Sequence, residues 1–199
     1  MKNLIAVIAA RGGSRRVKNK NIRKFGKNSL LERKIIQLKK IREIDEIVVN
    51  SDSDKILKIA EKYKVTTVKR RKKYASNTIS INKVYVNVVE DLDTKNILFI
   101  HITSPFVKTD TIKKSIRIYN KLNYKYDSLA SVTQFKKFLW HKNKPINYIP
   151  EKMPRSQDLP NYYYLNFAIN ILPKQVLLKQ RNIIGKKIYP YELSELESF

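Results

Sequence analysis

Residues 9–26 read AARGGSRRVKNKNIRKFG and hold three of the chain's four glycines, seven basic side chains and no acid. A glycine turn lets an anion come close to backbone N–H groups that a Cβ would fend off, and Arg and Lys beside it neutralise phosphate. The residue types therefore point to a grip on a phosphate-rich small molecule. A nucleic acid backbone and a solvated basic turn are the other readings of the same residues. Two phosphate motifs fail here: a Walker A loop needs Gly-Lys-Ser/Thr, whereas Gly13 is followed by Ser14, Arg15 and Arg16, and the G-x-G-x-x-G spacing is not met. Two more polar stretches carry chemistry-bearing side chains, NSDSD at 50–54 and HITSPF at 101–106. Thr103 and Ser104 before Pro105 either face a ligand or make a turn and cap the next helix. His101, at the end of an apolar run, is either a core histidine or a hydrogen-bonding or proton-accepting group.

The elements that must position these residues alternate. Short apolar runs at 3–9, 46–52, 65–68 and 96–102 read as buried strands. Between and after them, 29–41, 53–63, 80–92 and 109–122 space their apolar residues by three and four and read as helices, with Ser29 available as a cap. Such alternation predicts a parallel or mixed sheet with helices on both faces, and ligands in such sheets sit beyond the carboxyl ends of the strands. The polar segments 10–21, 50–54 and 101–108 fall at such ends. Residues 128–133 and 165–171 read as further strands. Between them, 134–164 holds four prolines and seven aromatics and leaves the sheet as an extension. The last stretch, KKIYPYELSELESF, reads as one short strand with no evident closing element.

At 199 residues, 42% of them hydrophobic, the chain is expected to form a single domain over 1–199 with a sizeable core. Its formal net charge is +25. That balance favours polyanionic partners in general. Lysine is spread over nearly every segment, however, beside abundant Ile and Asn as a coding bias produces, and no RNA- or DNA-binding signature accompanies it. No nucleic-acid partner is expected. The absence of cysteine excludes disulfides and thiolate metal sites and agrees with a reducing compartment. LIAVIAA is short for a signal core and runs straight into a glycine turn, and no segment is apolar for long enough to cross a membrane. A soluble, cytoplasmic protein without a membrane partner is expected.

Taken in order, the motifs resemble the CMP-sialic acid synthetase (acylneuraminate cytidylyltransferase) family. IAARGGSRRVKNKNIRKFGKNSLL is similar to its A-R-G-G-S-x-x-I-x-x-K-N-I-x-x-x-x-G-x-P-L signature. VVNSDSDKILKIAEKY, KRRKKYASNT, HITSPF, DSLASVTQFKKFLW and RSQDLPNYYYLNFAINI follow as its later segments do, so that the resemblance covers residues 3–199. It implies an α/β, Rossmann-like three-layer nucleotidyltransferase fold with a mixed, mostly parallel sheet and a protruding dimerisation arm at 134–164. It also implies a homodimer, and an enzyme that joins CMP from CTP to a 2-keto sugar acid with Mg²⁺, releasing pyrophosphate. By matching position, Arg11 and Lys20 are the implied catalytic residues on the triphosphate, with Lys20 near the α-phosphate. Ala10, Gly12 and Asn21 hold the nucleotide, and Arg70, Thr78 and Ser80 lie at its cytidine end. His101, Thr103 and Ser104 face the sugar, with Arg155, Gln157 and Asn166 on its far side.

The sequence also departs from the family. The family's D-I-D-x-x-x-D metal signature begins one residue past Phe199, so no metal ligands are assigned. Asp52 and Asp54 are expected to cap the helix after them rather than substitute. Asn77 replaces Asp, Ile102 and Val107 replace Pro and Arg, and Ser156 replaces Arg. Phe167 replaces the Gly of N-G-A, placing a bulky ring where a sugar approaches. The second reading is a truncated or degenerate relative that binds CTP without turnover. Among related sugar nucleotidyltransferases the Kdo-activating enzymes stand nearest, and HITSPF argues for the sialic acid side. Sialic, legionaminic and pseudaminic acids are not told apart.

Overall fold

The computed structural model describes residues 1–13, 17–76 and 78–199. Strand β1 (Lys2–Ala9) shows the logic of the whole molecule. Leu4, Ala6 and Ile8 point to one side of the sheet and Ile5 and Val7 to the other, and both sides are buried. A continuous apolar run is what a strand covered on both faces requires.

After the basic loop come β2 (Lys24–Phe25), β3 (Asn28–Ser29) and helix α1 (Leu30–Leu38). Ser29 caps α1 as expected, in a reciprocal box: Glu32 N–H donates to Ser29 Oγ at 3.3 Å and Ser29 N–H to Glu32 Oε2 at 2.8 Å. The chain continues through β4 (Glu46–Ser51), α2 (Asp54–Lys62), β5 (Thr66–Lys69), α3 (Ile81–Val89), β6 (Thr94–Ile100), α4 (Thr109–Tyr119) and β7 (Ser128–Phe135). Then follow β8 (Trp140–His141), β9 (Lys144–Pro145), β10 (Tyr162–Pro173), α5 (Lys174–Gln180), β11 (Ile188–Glu192) and the single-turn α6 (Glu195–Ser198).

Seven strands form one sheet in the order β11-β7-β10-β6-β1-β4-β5. All its pairings are parallel except those of β10, which runs against β6 and β7. Helices α1, α2 and α4 bury Leu31, Ile35, Leu38, Ile56, Ala60, Ile112 and Ile116 on one face. On the other face α3 and α5 bury Val84, Tyr85, Val88, Val89 and Leu177. The mixed, mostly parallel three-layer α/β architecture expected from the alternation is present.

Three details differ from the expectation. Helix α5 has only Leu177 fully buried and carries no side-chain cap, so neither periodicity nor capping announced it. The ends of 134–164 belong to the sheet, Tyr162 pairing with Phe135 and Tyr164 with Thr133. Only its middle departs, as the β8–β9 hairpin, whose turn residues Lys142 and Asn143 both have positive φ (46° and 62°) as a tight primed turn demands. Finally, a closing element exists: Ser194 caps α6, and Glu197 Oε1 accepts from Lys108 N–H (3.0 Å) and Thr111 Oγ (2.6 Å) at the start of α4.

Candidate active site

The carboxyl ends of β1, β4 and β5 are stitched to one another. Ala10 N–H donates to the Asn50 carbonyl at 2.9 Å, and Gly12 N–H to Asp52 Oδ1 at 3.0 Å. A Cβ on Gly12 would lie 2.9 Å from Ser53 Cβ, so only glycine lets these two turns touch. Asp52 is thus turned to Gly12, and Asp54 pairs with Lys69. Neither side chain caps α2, which corrects the capping expectation. Asn21 is buried and donates through Nδ2 to the Arg11 carbonyl at 2.9 Å, holding the shape of the turn.

Arg70, expected at the cytidine end, is a buried cation, only 5% exposed. Its Nε donates to Asn50 Oδ1 at 2.7 Å, Nη2 to the Asn50 carbonyl at 3.2 Å, and its backbone N–H to the Ser51 carbonyl at 2.8 Å. Burial pulls its pKa below the usual arginine value; nearby Asp52 opposes the shift and Arg11 adds to it. Arg11, Asp52 and Arg70 therefore share one electrostatic neighbourhood, and an arginine stays charged there at any ordinary pH. Thr78 is exposed and bonds Ser76 Oγ at 2.7 Å, while Ser80, also exposed, opens α3. Asn77, Arg15 and Arg16 lie outside the described residues.

On the other side of the glycine turn, His101 follows β6. Its ring lies between Phe99 (centroids 6.0 Å apart) and Phe167 (6.3 Å, planes 30° apart). Burial pushes the imidazole pKa down to about 4, and the charge of Lys20 adds to the effect. The two share one electrostatic neighbourhood, and the ring is neutral at pH 7. Such a ring offers a hydrogen bond rather than a base tuned to neutral pH.

The turn after His101 is held by three side chains of α1 that sequence reasoning did not single out. Lys34 Nζ donates to the Ser104 carbonyl (3.2 Å), Gln37 Nε2 to the Val107 carbonyl (2.6 Å) and Arg33 Nε to the Pro105 carbonyl (3.3 Å). Lys34 is 2% exposed, with Gln37 Oε1 as its other acceptor at 2.8 Å. Burial lowers its pKa to about 8. The signal was available, because Lys34 sits on the apolar stripe between Leu31 and Leu38. Thr103 is exposed and Ser104 buried.

The remaining sugar-side residues divide. Asn166 spends its amide within the sheet, on β7 and its own strand: Nδ2 donates to Thr133 Oγ1 at 2.9 Å, and Oδ1 accepts from Ala168 N–H at 3.1 Å and from the Ser131 hydroxyl. Arg155 and Gln157 are exposed on the extension. Arg155 is paired to Asp158 (2.7 and 3.3 Å), and the Gln157 carbonyl is bonded by Lys136. None of these bonds reaches the 10–21, 70 or 101–107 cluster. Hydrogen bonds, ring contacts and electrostatics thus associate Ala10, Arg11, Gly12, Lys20, Asn21, Arg70 and His101 at the strand ends with Ser104 in the turn after β6, and among the described residues no such bond joins Arg155 or Gln157 to them.

Among the described residues no three His, Cys, Asp or Glu side chains converge. Among the described residues, the carboxylate that touches this cluster, Asp52, is bonded to Gly12 N–H. These residues do not build a protein cage for Mg²⁺, which wants carboxylate oxygens with room for water and phosphate. Nor is any helix of the described residues long and apolar enough to cross a membrane.

Residues 5–150 match a family model described as cytidylyltransferase. The chain is 31% identical over 178 residues to a pseudaminic acid cytidylyltransferase of Campylobacter jejuni, covering 82% of this chain and 75% of that one. It is 23% identical over 205 residues to a CMP-N,N'-diacetyllegionaminic acid synthase of Legionella pneumophila, covering 97% and 88%. In three dimensions it resembles a CMP:2-keto-3-deoxy-manno-octonic acid synthetase complexed with CTP, with a TM-score of 0.73 at 12% identity over 97% and 90% of the two chains. That last likeness speaks for the fold alone.

Proposed function

Because this chain belongs to the cytidylyltransferase family, we propose that it transfers CMP from CTP to a 2-keto sugar acid of the nonulosonic class and releases pyrophosphate. The observation that carries the reading is the cation-rich meeting of strand ends, where the Gly12 turn is fastened to Asp52, whose charge is felt by Arg70, and the charge of Lys20 is felt by His101. The names of the relatives that act on pseudaminic and diacetyllegionaminic acids support the sugar class.

In this reading the Ala10–Gly12 backbone, Asn21 and Arg11 receive the triphosphate, and Arg70 with Thr78 and Ser80 lies toward the cytidine. Lys20 stands between phosphate and sugar, where it neutralises charge at the α-phosphate. The anomeric hydroxyl oxygen of the sugar attacks the α-phosphorus from the His101–Ser104 side. The bond to the β-phosphate bridging oxygen breaks, pyrophosphate leaves, and the hydroxyl proton passes to solvent. Positioning and charge neutralisation carry such transfers. Mg²⁺ accompanies the triphosphate, and no step is assigned to a metal held by the protein. The molecule works as a homodimer through 134–164, whose Arg155 and Gln157 serve the sugar pocket of the neighbouring copy.

The test is pyrophosphate release with CTP, Mg²⁺ and a panel of nonulosonic acids plus Kdo, with ATP, GTP and UTP as controls. Release is expected with CTP and one or more nonulosonic acids, and Lys20→Ala is expected to lose on the order of 10²-fold in turnover. Equal release with UTP, or none with any sugar acid, overturns the reading.

A further inference from the structure

Phe167 has φ 59°, the left-handed region, in the middle of β10. A residue with a Cβ gives up about 1–2 kcal/mol there, and a bulky aromatic is rarely found so placed. Core packing does not explain the choice, because the ring is 37% exposed and belongs to neither buried cluster. The backbone around it is held firmly. The β10–β7 register slips between Leu165 and Asn170, and the slip is pinned by Asn166 Oδ1 on Ala168 N–H (3.1 Å), Ser131 Oγ on Ile169 N–H (2.9 Å) and Asn170 Nδ2 on the Phe167 carbonyl (3.2 Å). A strained backbone fixed by its surroundings, displaying a part-exposed side chain beside a strand end, is the pattern of a functional position.

The ring has one neighbour of consequence. It stacks on His101, whose imidazole also feels the charge of Lys20. Phe167 is thus tied through His101 to the carboxyl end of β6, where the charge of Lys20 is also felt. Both rings are uncharged at pH 7, and neither the phenyl face nor its edge can bond a hydroxyl as water does. A sugar hydroxyl pressed against the phenyl ring loses a hydrogen bond without replacement, whereas a C–H or methyl face loses nothing.

We propose that Phe167 determines substrate choice: its ring, backed by His101, is an apolar wall of the sugar-acid pocket that favours acids presenting a deoxygenated, methyl-bearing face over those presenting a hydroxylated tail. This rests on the cytidylyltransferase reading above. A pocket of this kind discriminates by roughly 10- to 100-fold, the scale on which hydrophobic sites separate close analogues.

The experiment compares kcat/KM for two nonulosonic acids that differ in a methyl against a hydroxymethyl terminus, using the wild type, Phe167→Gly, Phe167→Asn and Phe167→Leu. Glycine and asparagine suit the left-handed backbone, so both variants are expected to melt no lower than the wild type. The wild type is expected to prefer the methyl-bearing acid, Phe167→Leu to retain most of that preference, and the other two to lose at least tenfold of it. The change should fall on KM for the sugar acid and leave KM for CTP in place, a split that a merely structural role does not produce. If Phe167→Gly fails to fold, Phe167→Asn decides. An unchanged preference in a folded variant, or a wild type that prefers the hydroxylated acid, overturns the proposal. A wild type inactive on every sugar acid overturns the cytidylyltransferase reading itself, and this inference with it.

Discussion

The 2.9 Å that would separate a Gly12 Cβ from Ser53 Cβ is shorter than real Cβ contacts allow, so Gly12→Ala must push the β1 and β4 turns apart. The displacement also pulls Gly12 N–H off Asp52, a bond of 3.0 Å. Overpacking of this kind costs about 1–3 kcal/mol. The variant is therefore expected to melt lower and to bind CTP at least about tenfold more weakly, as a titration in a calorimeter would show. Gly13→Ala is the control for stability, since nothing described lies within 4 Å of its Cβ position and its φ is ordinary. Its melting temperature is expected to stay at the wild-type value; a fall equal to that of Gly12→Ala would remove the steric account. The sequence pointed to this turn through its glycines and cations. What it did not disclose is that Gly12 is required against another strand end, because Ser53 is a neighbour only once β1 and β4 pair.

Helix α1 shows the same division between what spacing discloses and what folding adds. Its cap and apolar stripe were legible, but Lys34 on that stripe read as one more lysine in a lysine-rich chain. Burial holds the ammonium near pKa 8 against 10.5 for a solvated lysine. The unfolded chain therefore binds that proton more tightly, and the contribution of this residue to stability rises with pH between about 8 and 10.5, its full cost being present below 8. Lys34→Met removes the titrating group. The stability of the wild type relative to this variant is expected to increase by about 2–3 kcal/mol between pH 7.5 and 10, read from urea midpoints at each pH. A difference that stays flat would mean the ammonium is solvated. The variant also frees the Ser104 carbonyl, so KM for the sugar acid should rise more than KM for CTP. Two other features escaped sequence reading for like reasons. Helix α5 is short and uncapped, and the slip in β10 is fixed by Asn166 and Ser131, which are far apart in the chain.

For the whole molecule, the extension poses the question that a single copy leaves open. Trp140, Ile146, Ile149 and Met153 are each 58–63% exposed along it, next to a row of half-exposed tyrosines. So much apolar surface on one segment is what an interface buries. A charge of +25 on each copy works against association, most strongly at low ionic strength. A homodimer that tightens as salt is raised is therefore expected in sedimentation equilibrium, and Ile149→Ser with Met153→Ser is expected to sediment as a monomer. The placement of Arg155 sharpens the test. In its own subunit it bonds Asp158, and among the described residues no bond joins it to the strand-end cluster, so its place is the other copy's pocket if the arm reaches across. Lys20→Ala and Arg155→Ala, each nearly inactive alone, then combine. A mixed dimer of the two holds one pocket with both defects and one with neither, so co-expression is expected to restore about a quarter of wild-type turnover, given random pairing in a two-fold symmetric dimer. No recovery from dimeric variants would mean that Arg155 does not act across the interface, and a monomeric wild type would remove the arm from the mechanism altogether.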